Sequence, residues 1–95
     1  MTDPTLLVLA SLADGDKHGY AMMEDIQRFA SVRLGPGTLY GAITRLEERG
    51  WIRPVAAEDR RQPYTITALG RRHLEEQVNS LNAVVKTAQQ RLKHA

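Results

Sequence analysis

One segment near the middle of the chain, from Pro36 to Gly50, restricts the possible folds more than any other part of the sequence. Leu39, Ile43 and Leu46 recur at intervals of four and three residues, which places their side chains on one face of a helix. Pro36 suits the first helical turn, where its missing N–H leaves no hydrogen bond unmade, and Gly50 suits the left-handed position after the last turn. The segment therefore predicts a short helix with one narrow buried stripe, followed directly by a strand.

The opposite face of this predicted helix carries small, hydroxylated or cationic side chains. They belong to Thr38, Tyr40, Gly41, Thr44 and Arg45. Such groups approach phosphates and base edges without steric conflict, whereas a solvated helix more often carries Lys and Glu. The helix start also presents free backbone N–H groups and the positive end of the helix dipole, which favour a phosphate near Gly37 and Thr38.

Two more helices are predicted before this segment. Asp3 and Pro4 are typical of an N-cap and a first helical residue, and their helix is expected to run to about residue 13. Its predicted buried residues are Leu6, Leu7, Leu9, Ala10 and Ala13. The next helix is predicted from His18 or Gly19 to about residue 30. Its predicted inward residues are Met22, Met23, Ile26 and either Phe29 or Ala30.

Two strand candidates, residues 51–55 and 64–66, follow the central helix and are joined by a polar wing, residues 56–62. Trp51 is expected to fill the junction between that helix and the first strand, the alternative being that it stacks on an aromatic effector. Three helices and a two-stranded hairpin form the outline of a winged helix-turn-helix. The predicted fold class is therefore mainly α with a small β-hairpin, in a unit that spans residues 1–66.

A second strong pattern lies in the last part of the chain, where apolar residues alternate steps of four and three, as in the seam of a coiled coil. They are Leu74, Val78, Leu81, Val85, Ala88 and Leu92. Thr67 is a suitable N-cap, and a helix from there to about Lys93 would extend roughly 39 Å at 1.5 Å per residue, although Gly70 in its first turn lowers helix stability. So long a stripe cannot be buried against a small domain, so residues 67–95 predict a dimerisation helix that pairs with a second chain. The alternative is that the stripe only folds back on the first helix.

Several short motifs occur in order along about residues 5–75. They are residues 7–12, His18-Gly19-Tyr20, Pro36-Gly37-Thr38-Leu39-Tyr40, Leu46-Glu47-Glu48-Arg49-Gly50 and Thr67-Ala68-Leu69-Gly70. The ordered set resembles the PadR family of transcriptional regulators, and the single helix that follows resembles the family's small subgroup with a reduced C-terminal region. The resemblance implies a repressor, often relieved by a small hydrophobic or aromatic effector. It also implies that Thr38 and Tyr40 contact DNA and that His18 and Tyr20 contact phosphates.

The arginines of the chain are concentrated in its middle third. The net charge is only +2, but residues 26–62 hold seven arginines, four acids and no lysine. Guanidinium groups bind phosphate oxygens in a bidentate way, so this segment favours phosphate contact, although basic clusters of this size also occur on solvated faces. Arg60 and Arg61, at the distal end of the wing, are expected to contact the DNA backbone or a minor groove. The alternative is a solvated turn in which Glu58 and Asp59 neutralise them.

These features suggest how the chain would read DNA. In a helix-turn-helix the second helix of the pair enters the major groove, and on the central helix Tyr40 and Thr44 lie one turn apart on the same exposed side, with Arg45 placed there by the helical wheel. A two-fold dimer presents two such helices, and a separation of roughly 34–36 Å matches the two halves of a palindromic operator in double-stranded DNA. The leading hypothesis is therefore a dimeric DNA-binding regulator. The alternative is a winged-helix protein-interaction or ligand-sensing module that does not bind DNA.

Composition and residue spacing argue against metal-binding, enzymatic and membrane-spanning classes of protein. The 95 residues form one domain that buries about two-thirds of its unfolded surface, which is consistent with support from a partner chain. The chain has no cysteine, and His18, His73 and His94 are too scattered for a metal motif, with His73 expected among solvated charges. No catalytic set has a supporting context, so we expect no enzyme, cofactor or metal. No stretch approaches the roughly 20 apolar residues that cross a bilayer, so we expect a cytoplasmic protein without a membrane partner.

Overall fold

The computed structural model describes residues 3–57 and 59–94. Within these ranges the chain forms four helices, α1 (Pro4–Leu12), α2 (Gly19–Ala30), α3 (Pro36–Glu48) and α4 (Ala68–Lys93). The three strands are β1 (Lys17–His18), β2 (Ile52–Pro54) and β3 (Pro63–Ile66). They form one antiparallel sheet in the order β1-β3-β2. The fold is the predicted winged helix-turn-helix, mainly helical with a small sheet and a long last helix.

The sheet has one strand more than the sequence predicted. Strand β1 pairs Lys17 with Tyr64 and His18 with Pro63 of β3. A lysine and a histidine next to a helix start show neither apolar alternation nor β-branched residues, so nothing local marks them as a strand. Tertiary pairing with β3 creates β1, and it holds the start of α2 against the wing.

The predicted helix ends are confirmed, because each depends on local chemistry. The side chain of Asp3 accepts a hydrogen bond from the Thr5 N–H at 3.0 Å, and the Thr67 hydroxyl accepts one from the Gly70 N–H at 3.0 Å. Pro36 occupies the first turn of α3, and Gly50 lies just beyond that helix with a φ of 74°. Side chains that cap free N–H groups and a glycine that accepts positive φ fix these boundaries without help from the rest of the fold.

The core lies between α1, α2, α3 and the sheet, and it contains the predicted stripe of α3. Its buried apolar residues are Leu7, Val8, Leu9, Leu12, Met22, Ile26, Leu34, Leu39, Ala42, Ile43, Leu46, Ile52 and Ile66. The prediction for α1 was partly wrong, since Ala10 is exposed and Leu6 and Ala13 are only half-buried, whereas Val8 and Leu12 are fully buried. Helix α1 contacts α2, α3, α4 and β3, so its buried face is wider than one stripe.

Helix α2 turns Met22 and Ile26 fully inward, as predicted, with Met23 half-buried. Of the two residues proposed for its last inward position, Phe29 is half-exposed and Ala30 packs against the core. The smaller side chain is the one that packs where α2 ends. Ser31 follows immediately in the left-handed conformation, with a φ of 53°.

The junction between the sheet and α4 is tight. Trp51 is half-buried there and packs against the core, as predicted. A Cβ on Gly70 would collide with the Trp51 carbonyl oxygen and lie 3.0 Å from Cγ1 of Ile66. Gly70 therefore allows α4 to approach β2 and β3, which outweighs its low helix propensity. His73, expected among solvated charges, is instead half-buried against Trp51.

The second half of α4 extends away from the core. From Val78 to residue 94 every residue is exposed, so only the beginning of the apolar stripe packs within the chain. In the described part of the chain, no helix is both long enough and apolar enough to cross a membrane.

Candidate nucleic-acid interface

Helix α3 presents its amino-terminal end to solvent. Gly35 is the N-cap and supplies no side-chain hydrogen bond, so the first N–H groups of the helix stay available to a ligand. Gly37 and Thr38 in the first turn are both exposed. The start of α3 therefore combines free donors, little side-chain bulk and the positive end of the helix dipole.

Tyr40 and Thr44 lie one turn apart on the exposed side of α3, as the helical spacing predicted. The Tyr40 side chain is 49% exposed. The Thr44 hydroxyl donates a hydrogen bond to the Tyr40 carbonyl oxygen at 2.9 Å. Its proton is thereby engaged, so Thr44 offers a DNA partner an acceptor oxygen and a methyl group rather than a free donor.

Arg45 is exposed but lies on a different flank of α3 from Tyr40. Its side chain lines a small groove together with Asp3, Thr5 and Arg49, beside the amino-terminal end of α1. Residues on the wing side of α3 line a separate cleft. The helical wheel placed Arg45 on the solvent face but did not show that α1, rather than the wing, is its neighbour.

That separate cleft has a volume of about 570 Å³ and lies between the start of α2, the exposed side of α3 and the wing. Its lining residues are His18, Gly19, Tyr20, Tyr40, Arg60, Arg61 and Gln62. Five of the predicted site residues thus meet on one surface, although they come from three separate parts of the sequence. Gly19 and Gln62 were not among the predicted contacts. Gly19 lies between two residues that were predicted to contact DNA, so its position in the sequence could have indicated it. No local feature of the sequence indicated Gln62.

His18 supplies a ring N–H donor to this cleft. Its Nδ1 accepts a hydrogen bond from the Ala21 N–H at 3.2 Å and so caps α2. In the neutral ring the proton is therefore on Nε2, which lies 3.3 Å from a terminal nitrogen of Arg61. Two donors cannot bond to each other. They are instead placed to share one acceptor, and a phosphate oxygen has the charge and lone pairs for that role.

Hydrogen bonds to Asp59 and from Gln62 hold the wing in place. The Arg61 backbone N–H donates to the Asp59 carboxylate at 2.8 Å, and the Gln62 amide donates to the carbonyl oxygens of Val55 and Pro63, each at 2.8 Å. Among residues 3–57 and 59–94 the ion pairs join Lys17 with Asp14 and Asp25, and Arg28 with Asp25, so none of them includes a wing residue. The carboxylate of Asp59 thus supports the turn without pairing with either guanidinium. Glu58, which the alternative also expected to neutralise the arginines, lies outside the described residues.

Tyr64 lies in β3, behind the cleft. Burial raises the pKa of its phenol, and the nearby groups of Glu47 and Tyr40 raise it further. The phenol therefore stays neutral over the range in which a regulator works. Within the described ranges, no three His, Cys, Asp or Glu residues are grouped so that they could hold a metal ion.

A second surface runs along α4. Leu74 packs against the core, whereas the rest of the predicted seam is exposed: Val78, Leu81, Val85, Ala88 and Leu92. Val84 beside the seam is 65% exposed. The alternative in which the stripe only folds back on the first helix therefore describes its beginning alone. Apolar residues in an unbroken row on a projecting helix are typical of a surface that another chain covers.

The sequence profile described as "Transcriptional regulator PadR-like family" matches residues 8–76, which include α2, α3 and the whole sheet. The chain belongs to this family. Its members are transcriptional regulators, and the family is not one of enzymes.

A protein carried by a transposon is related in sequence to the PadR-like chain. The "Uncharacterized 37.1 kDa protein in transposon TN4556" of Streptomyces fradiae is 44% identical over 79 residues. Those residues make up 83% of the PadR-like chain and 23% of the relative. The chain therefore spans about a quarter of the length of this relative.

Solved structures of bacterial regulators share the fold. A transcriptional regulator from Clostridium thermocellum superposes with a TM-score of 0.81 at 27% identity, covering 92% of the PadR-like chain and 87% of its own. A PadR family transcription regulator from Clostridium difficile superposes with a TM-score of 0.86 at 23% identity, covering 96% of the PadR-like chain and 99% of its own. A PadR-like transcriptional regulator from Bacillus cereus superposes with a TM-score of 0.83 at 21% identity, covering 93% of the PadR-like chain and 89% of its own. The similarity extends over almost the whole of each chain, including the long last helix.

Proposed function

We propose that this PadR-like regulator is a homodimer that binds palindromic operators in double-stranded DNA and represses transcription until a small hydrophobic or aromatic effector releases it. The observation that carries the proposal is the cleft beside α3. It gathers donors from His18, Tyr20, Tyr40, Arg60 and Arg61 on one face. Convergent donors without a paired carboxylate among the described residues fit a polyanion better than a protein surface of mixed charge.

In the proposed complex, the amino-terminal end of α3 enters the major groove and the wing follows the backbone. Gly37 and Thr38 allow close approach of the helix start to a phosphate, while Tyr40 and Thr44 face the groove. The His18 ring N–H and the Arg61 guanidinium hold one phosphate between them. On its separate flank, Arg45 meets the backbone on the other side of α3.

The proposed assembly divides the chain into a DNA-binding unit, residues 1–66, and a dimerisation helix, residues 67–95. Two units related by a two-fold axis fit the two halves of a palindrome. An effector that changes how the two α4 helices meet would change the spacing of the two α3 helices, so its site is proposed at the dimer interface. Because the target is chromosomal DNA, the proposed location is the cytoplasm.

A fluorescence anisotropy titration tests DNA binding. The purified chain is titrated against duplexes from the region upstream of its own coding sequence and against random duplexes, at two salt concentrations. Tight, selective and salt-sensitive binding is expected, because each neutralised phosphate releases counterions and makes the slope of log K against log salt more negative by about 0.9. Equal and salt-insensitive affinities for all duplexes would overturn the proposal and favour a protein-binding role.

Paired variants test the assigned face. Replacing both Arg60→Ala and Arg61→Ala should weaken binding to all duplexes and lower the salt slope by about two. Arg72→Ala is the matched control, since this exposed arginine lies on α4, away from the cleft, and should change neither quantity. If the double variant binds as tightly as the control, the wing does not contact DNA.

A further inference from the structure

Strand β1 is weakly held by the sheet itself. It has two residues and lies at the edge of the sheet, where His18 pairs with Pro63. Proline has no N–H to donate to such a pair. The Pro63 carbonyl oxygen already accepts from the Val55 N–H at 3.1 Å and from the Gln62 amide at 2.8 Å, so both of its lone pairs are engaged. Backbone pairing therefore contributes little at His18, and other contacts must hold this residue beside the wing.

The side chain of Lys17 holds β1 from its other face. Successive side chains of a strand point to opposite faces, so the Lys17 side chain points away from the His18 ring. Its ammonium donates to the Ser11 carbonyl oxygen, in the last turn of α1, and to the Asp14 carboxylate. The helix dipole also favours a cation at this end of a helix. The Lys17 side chain is 18% exposed, so the rest of the chain covers most of it.

Asp25 extends these contacts to α2. Its Oδ2 accepts a hydrogen bond from the Ser11 hydroxyl at 2.7 Å and lies 4.0 Å from the Lys17 ammonium. Ser11 is buried, and the Asp25 side chain is largely covered. Charges and hydrogen bonds interact more strongly in such a shielded site than on an open surface. Lys17, Ser11, Asp14 and Asp25 thus form an anchor network that joins the end of α1, β1 and the middle of α2.

The anchor network lies directly behind the residue that meets the wing. His18 follows Lys17 in the chain, caps α2 through Nδ1 and directs Nε2 toward a terminal nitrogen of Arg61, 3.3 Å away. A hydrogen bond is lost once its donor and acceptor are more than about 3.5 Å apart. A small shift of β1 would therefore take the His18 ring out of reach of an acceptor that Arg61 also holds.

We propose that Lys17 is a positioning residue for DNA binding, which holds the His18 ring beside Arg61 so that both donors meet one phosphate, and that Lys17 itself does not contact DNA. This inference rests on the DNA binding of the proposed function and adds to it a residue outside the interface. The Lys17 ammonium has its partners, Ser11 and Asp14, on the far side of β1 from the cleft. Its effect on affinity therefore passes through His18.

A double-mutant cycle between Lys17 and His18, measured by anisotropy titration, tests the inference. Lys17→Met removes the anchor, whereas His18→Ser keeps a side chain that can cap α2 but removes the ring N–H. Lys17→Met alone should weaken duplex binding roughly tenfold, as expected for the loss of one hydrogen bond to a charged group. It should cause no further loss in a chain that already carries His18→Ser. Lys86→Met, on an exposed part of α4, is the matched control and should bind as the wild type does.

The dependence on salt separates positioning from direct contact. Lys17→Met should leave the slope of log K against log salt unchanged, because the ammonium does not neutralise a phosphate. A slope less negative by about 0.9 in this variant would show a direct phosphate contact and overturn the inference. Equal losses with and without His18→Ser, or normal affinity in Lys17→Met, would also overturn it. In all three cases the wild type still binds DNA and the proposed function stands, whereas a wild type that does not bind DNA overturns both.

Thermal unfolding checks that each variant is folded at the temperature of the titration. If Lys17→Met is not, the cycle is repeated with Asp25→Asn, which removes a charge from the anchor network but keeps an oxygen that can accept from the Ser11 hydroxyl. This variant should also weaken binding, again without further loss in the His18→Ser background. Losses that add fully in the two backgrounds would overturn the inference here as well.

Discussion

The Trp51 ring stacks on the His73 ring with their centroids 3.7 Å apart and their planes at 14°. Trp51 lies between the end of α3 and the start of β2, and His73 lies in the second turn of α4. The guanidinium carbon of Arg49 lies 5.1 Å from the centre of the Trp51 ring. The stack therefore joins the helix proposed to read DNA to the helix proposed to form the dimer. His73 also lines a groove between the start of α1 and the middle of α4.

His73→Ala should lower the free energy of unfolding by about 1 kcal/mol, the usual contribution of an aromatic pair beyond the area it buries. For a chain of this size, that corresponds to a fall in Tm of about 4–8 °C. His73→Phe keeps a stacked ring and is the matched control, with a Tm near that of the wild type. Thermal unfolding followed by circular dichroism checks both. Equal losses in the two variants would show that the imidazole nitrogens, rather than stacking, support the junction.

Gly70→Ala should destabilise the fold by about 1–3 kcal/mol, because the new methyl group would meet backbone atoms that cannot move independently. Its Cβ would lie 2.9 Å from the Trp51 carbonyl carbon. Gly41→Ala is the matched control in an α-helix. Its nearest neighbour outside the helix backbone would be an Arg45 nitrogen at 3.6 Å, an ordinary contact. That variant should gain about 0.5–1 kcal/mol in stability. Urea denaturation measures the change in the free energy of unfolding for each variant. Changes of the same sign in the two variants would contradict this explanation.

Gly19→Ala should weaken duplex binding with little change in stability. A Cβ at position 19 would collide with the Tyr40 hydroxyl and lie 2.8 Å from Cζ of that ring. The far end of an exposed side chain moves at low cost, so the ring should swing out of the cleft while the fold persists. Anisotropy titration and thermal unfolding of one preparation check the two expectations. Normal affinity in Gly19→Ala would mean that the ring position of Tyr40 does not matter to DNA binding.

The Asp14 carboxylate should contribute a small, pH-dependent part of stability. The hydrogen bond and the positive charge of Lys17 hold the pKa of Asp14 below its usual value of 3.8. Because the folded-state pKa is the lower one, the contribution is fully present well above pH 3.8 and is lost as the pH falls through the folded-state pKa. Asp14→Asn should therefore flatten the acid limb of a plot of Tm against pH. Asp16→Asn is the matched control and should follow the wild-type curve.

The sequence determined those features that depend on neighbouring residues. Asp3 and Thr67 cap helices, Pro36 begins α3 and Gly50 ends it, because side-chain hydrogen bonds and allowed φ values act over a few residues. The periods of the apolar residues likewise fixed the buried stripe of α3 and the exposed stripe of α4, since helix geometry alone decides which residues share a face.

Tertiary structure decided which distant residues meet. Pairing with β3 turned an unremarkable Lys17-His18 into a strand and brought the His18 ring beside Arg61, 43 residues away. The side chain of Arg45 lies beside the start of α1 and not in the cleft. Close packing of α4 on the sheet requires a glycine at position 70, although glycine has a low helix propensity. None of these contacts leaves a periodic or local mark in the sequence. Each results from how elements that are already formed pack around a shared core, which no short segment encodes alone.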